Sequence, residues 1–406
     1  MKMSNRTIIH MDLDTFFVSC ERLINSKLIG KPVLIGGTSD RGVVASCSYE
    51  ARNFGVHSAM PMRLAKRLCP EAFIIRGDSG VYSKYSHLVT DIIKEDSPIY
   101  EKSSIDEFYI DASGMDKFYS CYKWATELRQ RITRETGLPI SFGMSTNKTV
   151  SKVGTGQAKP DGQIIVKSGL EKPFLAPLSI QKIPMVGEKT FMLLRNMGVE
   201  YIHTMQKMPV EVIQRVLGVN GATIWKKCNG IDNSPIIPYQ ERKSISSEIT
   251  FEKDSTDINK LLSIVIAMTE NLAFQLRNGN KLTACLAVKV RYSDMQTYTK
   301  QRRIPYTSSD NVLIDTAKEL FNEVYNRRVR VRLVGVRLSH FVEGGQQINL
   351  FEDTEELISL YQAMDVLRNR YGMKAVIRCA GLGTRGFGRM NSFTGEPPVI
   401  PAHRRQ

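Results

Sequence analysis

Apolar residues crowd the segment Thr7-Ile-Ile-His-Met-Asp in the continuous run expected of a buried strand. Directly after it, Phe16, Phe17, Cys20 and Leu23 recur at helical spacing between Thr15 and Leu23. Two short β-rich runs, Lys31 to Gly36 and Gly42 to Ala45, surround a Gly-Thr-Ser-Asp-Arg-Gly turn. Residues 48–69 alternate helix and turn signals. Ile99 to Lys102 and Phe108 to Asp111 form the arms of a hairpin, with Ser103-Ser104-Ile105-Asp106-Glu107 at or near its turn. A helix over about 116–135, a strand at Ile140-Ser-Phe-Gly-Met and a helix from near Asn147 follow. This strand–helix–strand–strand–helix–strand order predicts an α+β sheet backed by helices on one face.

The pattern changes near residue 166, and helical spacing dominates to about 232. Residues 233–243, Asn-Ser-Pro-Ile-Ile-Pro-Tyr-Gln-Glu-Arg-Lys, hold two prolines and read as a linker. From 244 to 342 long alternating strands return, notably Leu286-Ala-Val-Lys-Val-Arg-Tyr and Arg328-Val-Arg-Val-Arg-Leu, around two helical stretches. Asp353 to Arg370 is spaced as an amphipathic helix with Leu357, Leu360, Tyr361, Met364 and Leu367 toward a core. The chain is therefore expected to hold several domains, as its 406 residues require.

No apolar run approaches the roughly 20 residues of a membrane span, and the first residues show no secretory h-region. The seven cysteines never occur as C-x-x-C, which predicts free thiols in a reducing, cytoplasmic setting and no zinc site. Charge adds more. The formal net charge is +15, and residues 241–342 hold 17 Lys plus Arg against 11 Asp plus Glu, a net +6. A basic excess of this kind attracts polyanions, although a merely soluble basic protein would also show it.

The chemistry concentrates on acids. Asp12 ends the first strand, and Asp106 with Glu107 sits near the hairpin turn. If those strands are neighbours, three carboxylates converge, and like charges that close invite divalent cations. Mg²⁺ suits them, since it takes one or two carboxylates plus substrate phosphates, and a two-ion site activates a hydroxyl and a leaving group together. Each acid taken alone is better explained as a helix cap (Asp12, Asp14) or a polar turn (Asp106, Glu107). The surrounding residues decide it.

Met11-Asp-Leu-Asp-Thr-Phe-Phe, Ser48-Tyr-Glu-Ala-Arg-Asn-Phe-Gly, Ser104-Ile-Asp-Glu-Phe-Tyr-Ile-Asp, Asn147-Lys and Ala158-Lys-Pro-Asp-Gly occur in this order. Together they resemble the Y-family translesion DNA polymerases, in the DNA polymerase IV (DinB) branch, over about residues 7–351. The resemblance implies a right-hand architecture: a ferredoxin-like palm (1–18 and 78–165), small fingers (19–77), a helical thumb (166–232), a linker (233–243), an α/β little finger (244–342) and a tail (343–406). It implies that Asp12, Asp106 and Glu107 hold two Mg²⁺ ions, helped by the Leu13 carbonyl. Tyr49 and Arg52 share a helix face by spacing, and with Lys159 they match the family's triphosphate ligands. Core packing accounts for one of Phe16 and Phe17. By resemblance both lie at the nucleotide, and Phe17 is the steric gate against a 2′-hydroxyl. Thr15 and Gly154-Thr-Gly-Gln depart from the family pattern without touching a proposed ligand.

For DNA, Ile183 to Val199 looks like a helix–hairpin–helix with Gly187 and Lys189 at its phosphate-binding turn. The resemblance places it in a thumb on the minor groove. Arg328, Arg330 and Arg332 alternate, as on one face of a strand, and Lys300, Arg302 and Arg303 form a second cluster. The resemblance places these in the major groove. Gln347-Ile-Asn-Leu-Phe matches a sliding-clamp pentapeptide, with Gln347, Leu350 and Phe351 as anchors. The expected partners are thus primer-template DNA, deoxynucleoside triphosphates and a clamp, with no membrane and a monomeric chain. Rival interpretations are a catalytically silent DNA-binding relative, a nucleotide cyclase, and a UmuC-like polymerase needing partner subunits.

Overall fold

The computed structural model describes residues 6–117, 119–344 and 354–381. The chain forms two compact units, the first ending at Gln240 and the second starting at Glu241.

The first unit begins with β1 (Ile8–Leu13) and α1 (Phe16–Ile24). A small layer follows, made of β2 (Val33–Gly36), β3 (Val44–Cys47), α2 (Tyr49–Arg52), α3 (Met62–Leu68) and β4 (Phe73–Ile75). Its sheet runs β3-β2-β4 over a core of Leu34, Val44, Cys47, Ala51, Val56, Met62 and Ala65. The chain then returns through α4 (Ser79–Asp96), β5 (Tyr100–Lys102), β6 (Glu107–Asp111), α5 (Cys121–Thr136), β7 (Ile140–Ser145), α6 (Lys148–Ala158) and β8 (Gln163–Ile165). The main sheet has the order β5-β6-β1-β7-β8, with β1 antiparallel to both neighbours. Without β8 this is the ferredoxin-like arrangement, into which the small layer is inserted between β1 and α4.

Alternation explains which face is covered. Ile9, Met11 and Leu13 of β1, Phe108 and Ile110 of β6, and Phe142 and Met144 of β7 pack on Val89, Ile92 and Ile93 of α4 and on Ala125, Leu128 and Ile132 of α5. Each such side chain contributes about 1.5–3 kcal/mol by leaving water. The single backing layer expected from element order is incomplete, because α6 lies against the opposite face. A Cβ on Gly143 would sit 2.3 Å from the Ser151 carbonyl oxygen, so the glycine lets α6 approach β7 closely. On that face, the Asp12 and Glu107 side chains keep 18% and 21% exposure.

Helices α7 (Glu171–Leu175), α8 (Glu188–Asn196), α9 (Ile202–Lys207), α10 (Val210–Leu217) and α11 (Val219–Cys228) form the all-helical region. Leu175, Ile180, Ile183, Leu194, Ile202, Met205, Ile213 and Ile224 close a core on Val150 and Val153 of α6. Asp232 clasps the end of this region, accepting hydrogen bonds from Thr149 (2.6 Å) and Lys227 (2.9 Å). Burial alone would push its carboxyl up, but the hydrogen bonds from Ser234, Thr149 and Lys227 hold it well below the usual carboxylate range.

The second unit comprises β9 (Ser244–Ser255), α12 (Ile258–Asn278), β10 (Lys281–Tyr292), β11 (Thr297–Thr307), α13 (Asp310–Val324), β12 (Val331–Glu343) and α14 (Thr354–Tyr371). Its antiparallel sheet has the order β11-β10-β12-β9. Leu286, Val288, Val290, Val334, Val336 and Leu338 are buried on its helix side. The strand expected from Arg328 begins only at Val331, so Arg328 and Arg330 precede it.

Helix α14 keeps Tyr361 of the expected apolar stripe inside, 2% exposed, but turns its leucines outward. Leu360 is 52% and Leu367 44% exposed, whereas Arg368 is 1% exposed. The buried face carries charge instead. Arg368 pairs with Glu270 and lies 3.5 Å from Asp365 and 3.9 Å from Asp310. Arg277 meets Asp310 and Asp365 at 2.6 Å each. A buried network of this type holds only while every member is paired. All seven cysteines are free, with Cys379 exposed and the others buried. Among the described residues, no helix is long and apolar enough to cross a membrane.

Removing Arg368 would strand Glu270 in the interior and leave Asp310 with Arg277 as its cation. Arg368→Met is expected to destabilise the second unit by about 3–5 kcal/mol, while Leu367→Ala stays within roughly 0.5 kcal/mol. Thermal unfolding of the two variants checks the order, and a larger loss for Leu367→Ala would contradict the outward placement of the leucines.

Candidate active site

The site grows from the register of two strands. Asp12 at the end of β1 stands directly opposite Glu107 at the start of β6, and the Leu13 amide donates to the Asp106 carbonyl at 3.0 Å. Directly opposed residues of an antiparallel pair share a face, so Asp12 and Glu107 project together on the α6 side. Glu107 is the first residue of β6 rather than part of the turn. Ser104 hydrogen-bonds the Asp106 carboxylate, and Ser103 donates to Glu107 at 3.2 Å.

Each outer carboxylate meets a lysine. Lys159 Nζ lies 2.6 Å from Asp12 Oδ1 and 3.3 Å from the Leu13 carbonyl oxygen. Lys152 Nζ lies 2.6 Å from both Glu107 oxygens. Burial pushes Asp12 up to about 7, against the opposing pull of Lys159, and Asp106 adds to the rise. Burial also raises Asp106. As the side chains stand, no group of three His, Cys, Asp or Glu among the described residues converges to hold a metal ion. The donor chemistry nonetheless fits one: three carboxylates and a backbone carbonyl, all oxygen, at positions where two of the acids resist ionising without a counter-charge. A cation would take the place that the two ammonium groups now fill.

Nothing near Lys152 in sequence marks it; its partner is 45 residues away. His10 is equally unmarked. It is fully buried under the site, and burial, reinforced by Lys152, Lys159 and Lys148, holds it well below its ordinary value and neutral. Its Nδ1 lies 2.9 Å from Thr155 Oγ1, which gives a use to the Gly-Thr-Gly stretch that departs from the family pattern. Asp14 caps nothing. Thr15 is the N-cap of α1, in a left-handed conformation with no side-chain bond, while the Asp14 carboxylate turns inward to Ser141 Oγ (2.8 Å) and the Asp161 amide (2.7 Å).

The remaining nucleotide residues gather here. Tyr49 and Arg52 share α2, with the guanidinium 4.9 Å from the ring centroid. The Tyr49 hydroxyl and Lys159 Nζ both lie 3.5 Å from Asp14 Oδ1. Phe16 is core, 2% exposed. Phe17 is half-buried and stacks on Tyr82, with centroids 4.4 Å apart at 15°, and the Tyr82 hydroxyl donates to Glu21 at 2.6 Å.

The proposed DNA contacts divide. Gly187 is the N-cap of α8 without a side-chain bond, and Lys189 is exposed in the first turn. Lys300 and Arg302 lie opposite Val288 and Leu286, on the helix-covered face, and their charges are spent on α13: Lys300 meets Glu323 at 2.7 Å, and Arg302 pairs with Glu319 and Glu323. Arg303 and Arg337 occupy the other face, opposite Cys285 and Ala287, and both are exposed. Gln347, Leu350 and Phe351 lie outside the described residues.

Comparison with known proteins identifies the family. The profile of the impB/mucB/samB family matches residues 11–156, its C-terminal domain matches 242–350, and a DNA polymerase-iota thumb domain matches 181–232. A protein of Dehalococcoides mccartyi named DNA polymerase IV is 36% identical over 92% of this chain and 97% of its own length. One of Clostridium perfringens with the same name is 35% identical over 87% and 98%. Among solved structures, a Y-family polymerase chimera, Dbh-Dpo4(243-245)-Dbh, shares the fold with a TM-score of 0.73 at 22% identity, over 83% of this chain and all of its own. DinB from Sulfolobus solfataricus, at 22% identity, gives 0.57 with the same coverage. The chain therefore belongs to the impB/mucB/samB family of Y-family DNA polymerases, in the DNA polymerase IV branch.

Proposed function

We propose that this DNA-directed DNA polymerase extends a primer 3′ end on a template by two-metal phosphoryl transfer, including synthesis past damaged bases. The observation that carries the two-metal reading is the register that puts Asp12 opposite Glu107, with the adjoining Asp106 bonded through its carbonyl to the Leu13 amide. Asp12, Asp106, Glu107 and the Leu13 carbonyl are the proposed Mg²⁺ ligands. The ions would activate the primer hydroxyl and offset the charge of the triphosphate and its leaving pyrophosphate.

The chain's own groups do the rest. Tyr49, Arg52 and Lys159 surround the triphosphate, where an arginine fork and an ammonium offset negative charge. When nucleotide binds, Lys159 exchanges Asp12 for phosphate oxygens. Phe17 lies against the sugar and rejects a 2′-hydroxyl by contact and by denying it water. Stacking on Tyr82, itself tied to Glu21, keeps that ring from turning aside. The thumb turn at Gly187 and Lys189 takes a phosphate of the duplex. On the second unit, Arg303 and Arg337 on the open sheet face, with Arg328, Arg330 and Arg332, are better placed to meet DNA than Lys300 and Arg302, whose charges are already paired. The Gln347–Phe351 segment is proposed to tether the enzyme to a sliding clamp. We further propose a monomer working in the cytoplasm. The intact acid set speaks against a silent relative, and the duplex-binding surfaces against a cyclase.

Asp106→Ala or Glu107→Ala is expected to lower primer extension by on the order of 10²–10³-fold or more. DNA binding survives in both and weakens steeply as salt rises. Extension at the parental rate by either variant would reject the assignment. Phe17→Ala is expected to relax sugar discrimination by about 10- to 100-fold, and Tyr82→Leu by less. Incorporation ratios of ribo- to deoxynucleotides measure both, and unchanged selectivity in Phe17→Ala rules out the gate. Capture by the clamp should disappear with Leu350→Ala plus Phe351→Ala while extension without clamp is retained; capture that persists dismisses the tether.

A further inference from the structure

The turn that presents Lys159 is braced from two sides. In front, the Asp161 amide donates to Asp14 Oδ2 at 2.7 Å, and the Gly162 amide donates to Ser141 Oγ at 3.1 Å. Behind, Arg129 reaches the same turn from α5, a helix on the far face of the sheet. Its Nε donates to the Ile140 carbonyl at 2.8 Å and its Nη2 to the Asp161 carbonyl at 2.7 Å, and the guanidinium pairs with the Asp161 carboxylate. Nη1 lies 3.5 Å from Gln163 Oε1. The Arg129 side chain is only 16% exposed.

The turn needs such bracing. Asp161 adopts a φ of 46°, in the left-handed region, and a Cβ on Gly162 would lie 1.9 Å from the Ala158 carbonyl oxygen. A conformation of that kind persists only where its neighbours impose it. Lysine contributes little order of its own, being a point charge on a flexible stem. The place of its ammonium therefore follows from how firmly its backbone is held.

We propose that Arg129 is a positioning residue for the incoming nucleotide: by clamping Asp161 and the start of β7, it sets where Lys159 presents its charge to the triphosphate. The inference rests on the role of Lys159 given above. Arg129 touches none of the proposed metal, nucleotide or DNA ligands, so its effect must pass through the turn. The planar fork spans two backbone carbonyls and a carboxylate at once, which an ammonium cannot do.

The test is single-nucleotide incorporation by the full chain on primed DNA with Mg²⁺, comparing Arg129→Met, Arg129→Lys, Lys159→Met and the Arg129→Met/Lys159→Met double variant. Arg129→Met is expected to raise KM for the deoxynucleotide about tenfold, equivalent to one lost hydrogen bond to a charged group. Its kcat should change less than about twofold. Arg129→Lys recovers part of the loss and replaces the methionine variant should that fail to fold. The double variant should be no worse than Lys159→Met, since two residues acting along one route are not additive. Additive losses, or a fall in kcat at constant KM, would show a general structural brace and overturn the proposal. If Lys159→Met raises KM and neither Arg129 variant does, the proposal fails while the role of Lys159 stands. If Lys159→Met leaves KM unchanged, the triphosphate role itself is wrong and the proposal goes with it.

Discussion

The ladder that sets Asp12 opposite Glu107 governs everything else in the first unit. β1 is hydrogen-bonded on both sides, to β6 and to β7, so it cannot slide along one neighbour without breaking pairing to the other. A slip of one residue would carry Asp12 to the apolar face and bring Met11 or Leu13 into the open. The burial of Ile9, Met11 and Leu13 against α4 and α5 resists that slip. The geometry of the candidate site is in this sense a by-product of core packing: apolar alternation on one face fixes where Asp12 emerges on the other.

Charge balance is the second constraint. Asp12 and Glu107 stand opposite each other in a partly buried place, with Asp106 near enough to raise the Asp12 carboxyl, and two lysines on or just after one short helix supply the compensating charge. Lys148, one turn before Lys152, meets Glu101 at 2.7 Å in the same manner. The lysines stabilise the acids as they stand, and at the proposed metal site a cation would have to compete with them. A purely acidic cluster would repel itself, and a fully neutralised one would have no use for a metal.

Much of this was legible in the chain because the informative signals are local. β1, the hairpin arms and the helix after Asn147 follow from apolar spacing, and the Asn147 side chain caps α6 by accepting from the Val150 amide at 3.0 Å. Asp12, Asp106 and Glu107 stood out through the residues around them. What escaped depends on distance in sequence. Lys152 and Arg129 acquire meaning only from partners brought to them by the fold, at separations of 45 and 32 residues. The helix predicted from about 116 starts at Cys121, where Ser120 accepts from the Lys123 amide. The second unit misled most. Alternating arginines at 328–332 look like a strand face, yet two of the three precede β12. In α14 the leucines imitate an inward stripe while Arg368 and Asp365 take the interior, because ion pairing there outweighs the periodicity.

The distribution of thiols has a practical side. Burial pushes Cys20 and Cys228 up to about 12, so they stay protonated and shielded from electrophiles. Cys379 alone is exposed among the seven. A maleimide dye should therefore attach at one place, beyond α14 on the second unit, and report on that unit in single-molecule fluorescence with the native sequence left intact.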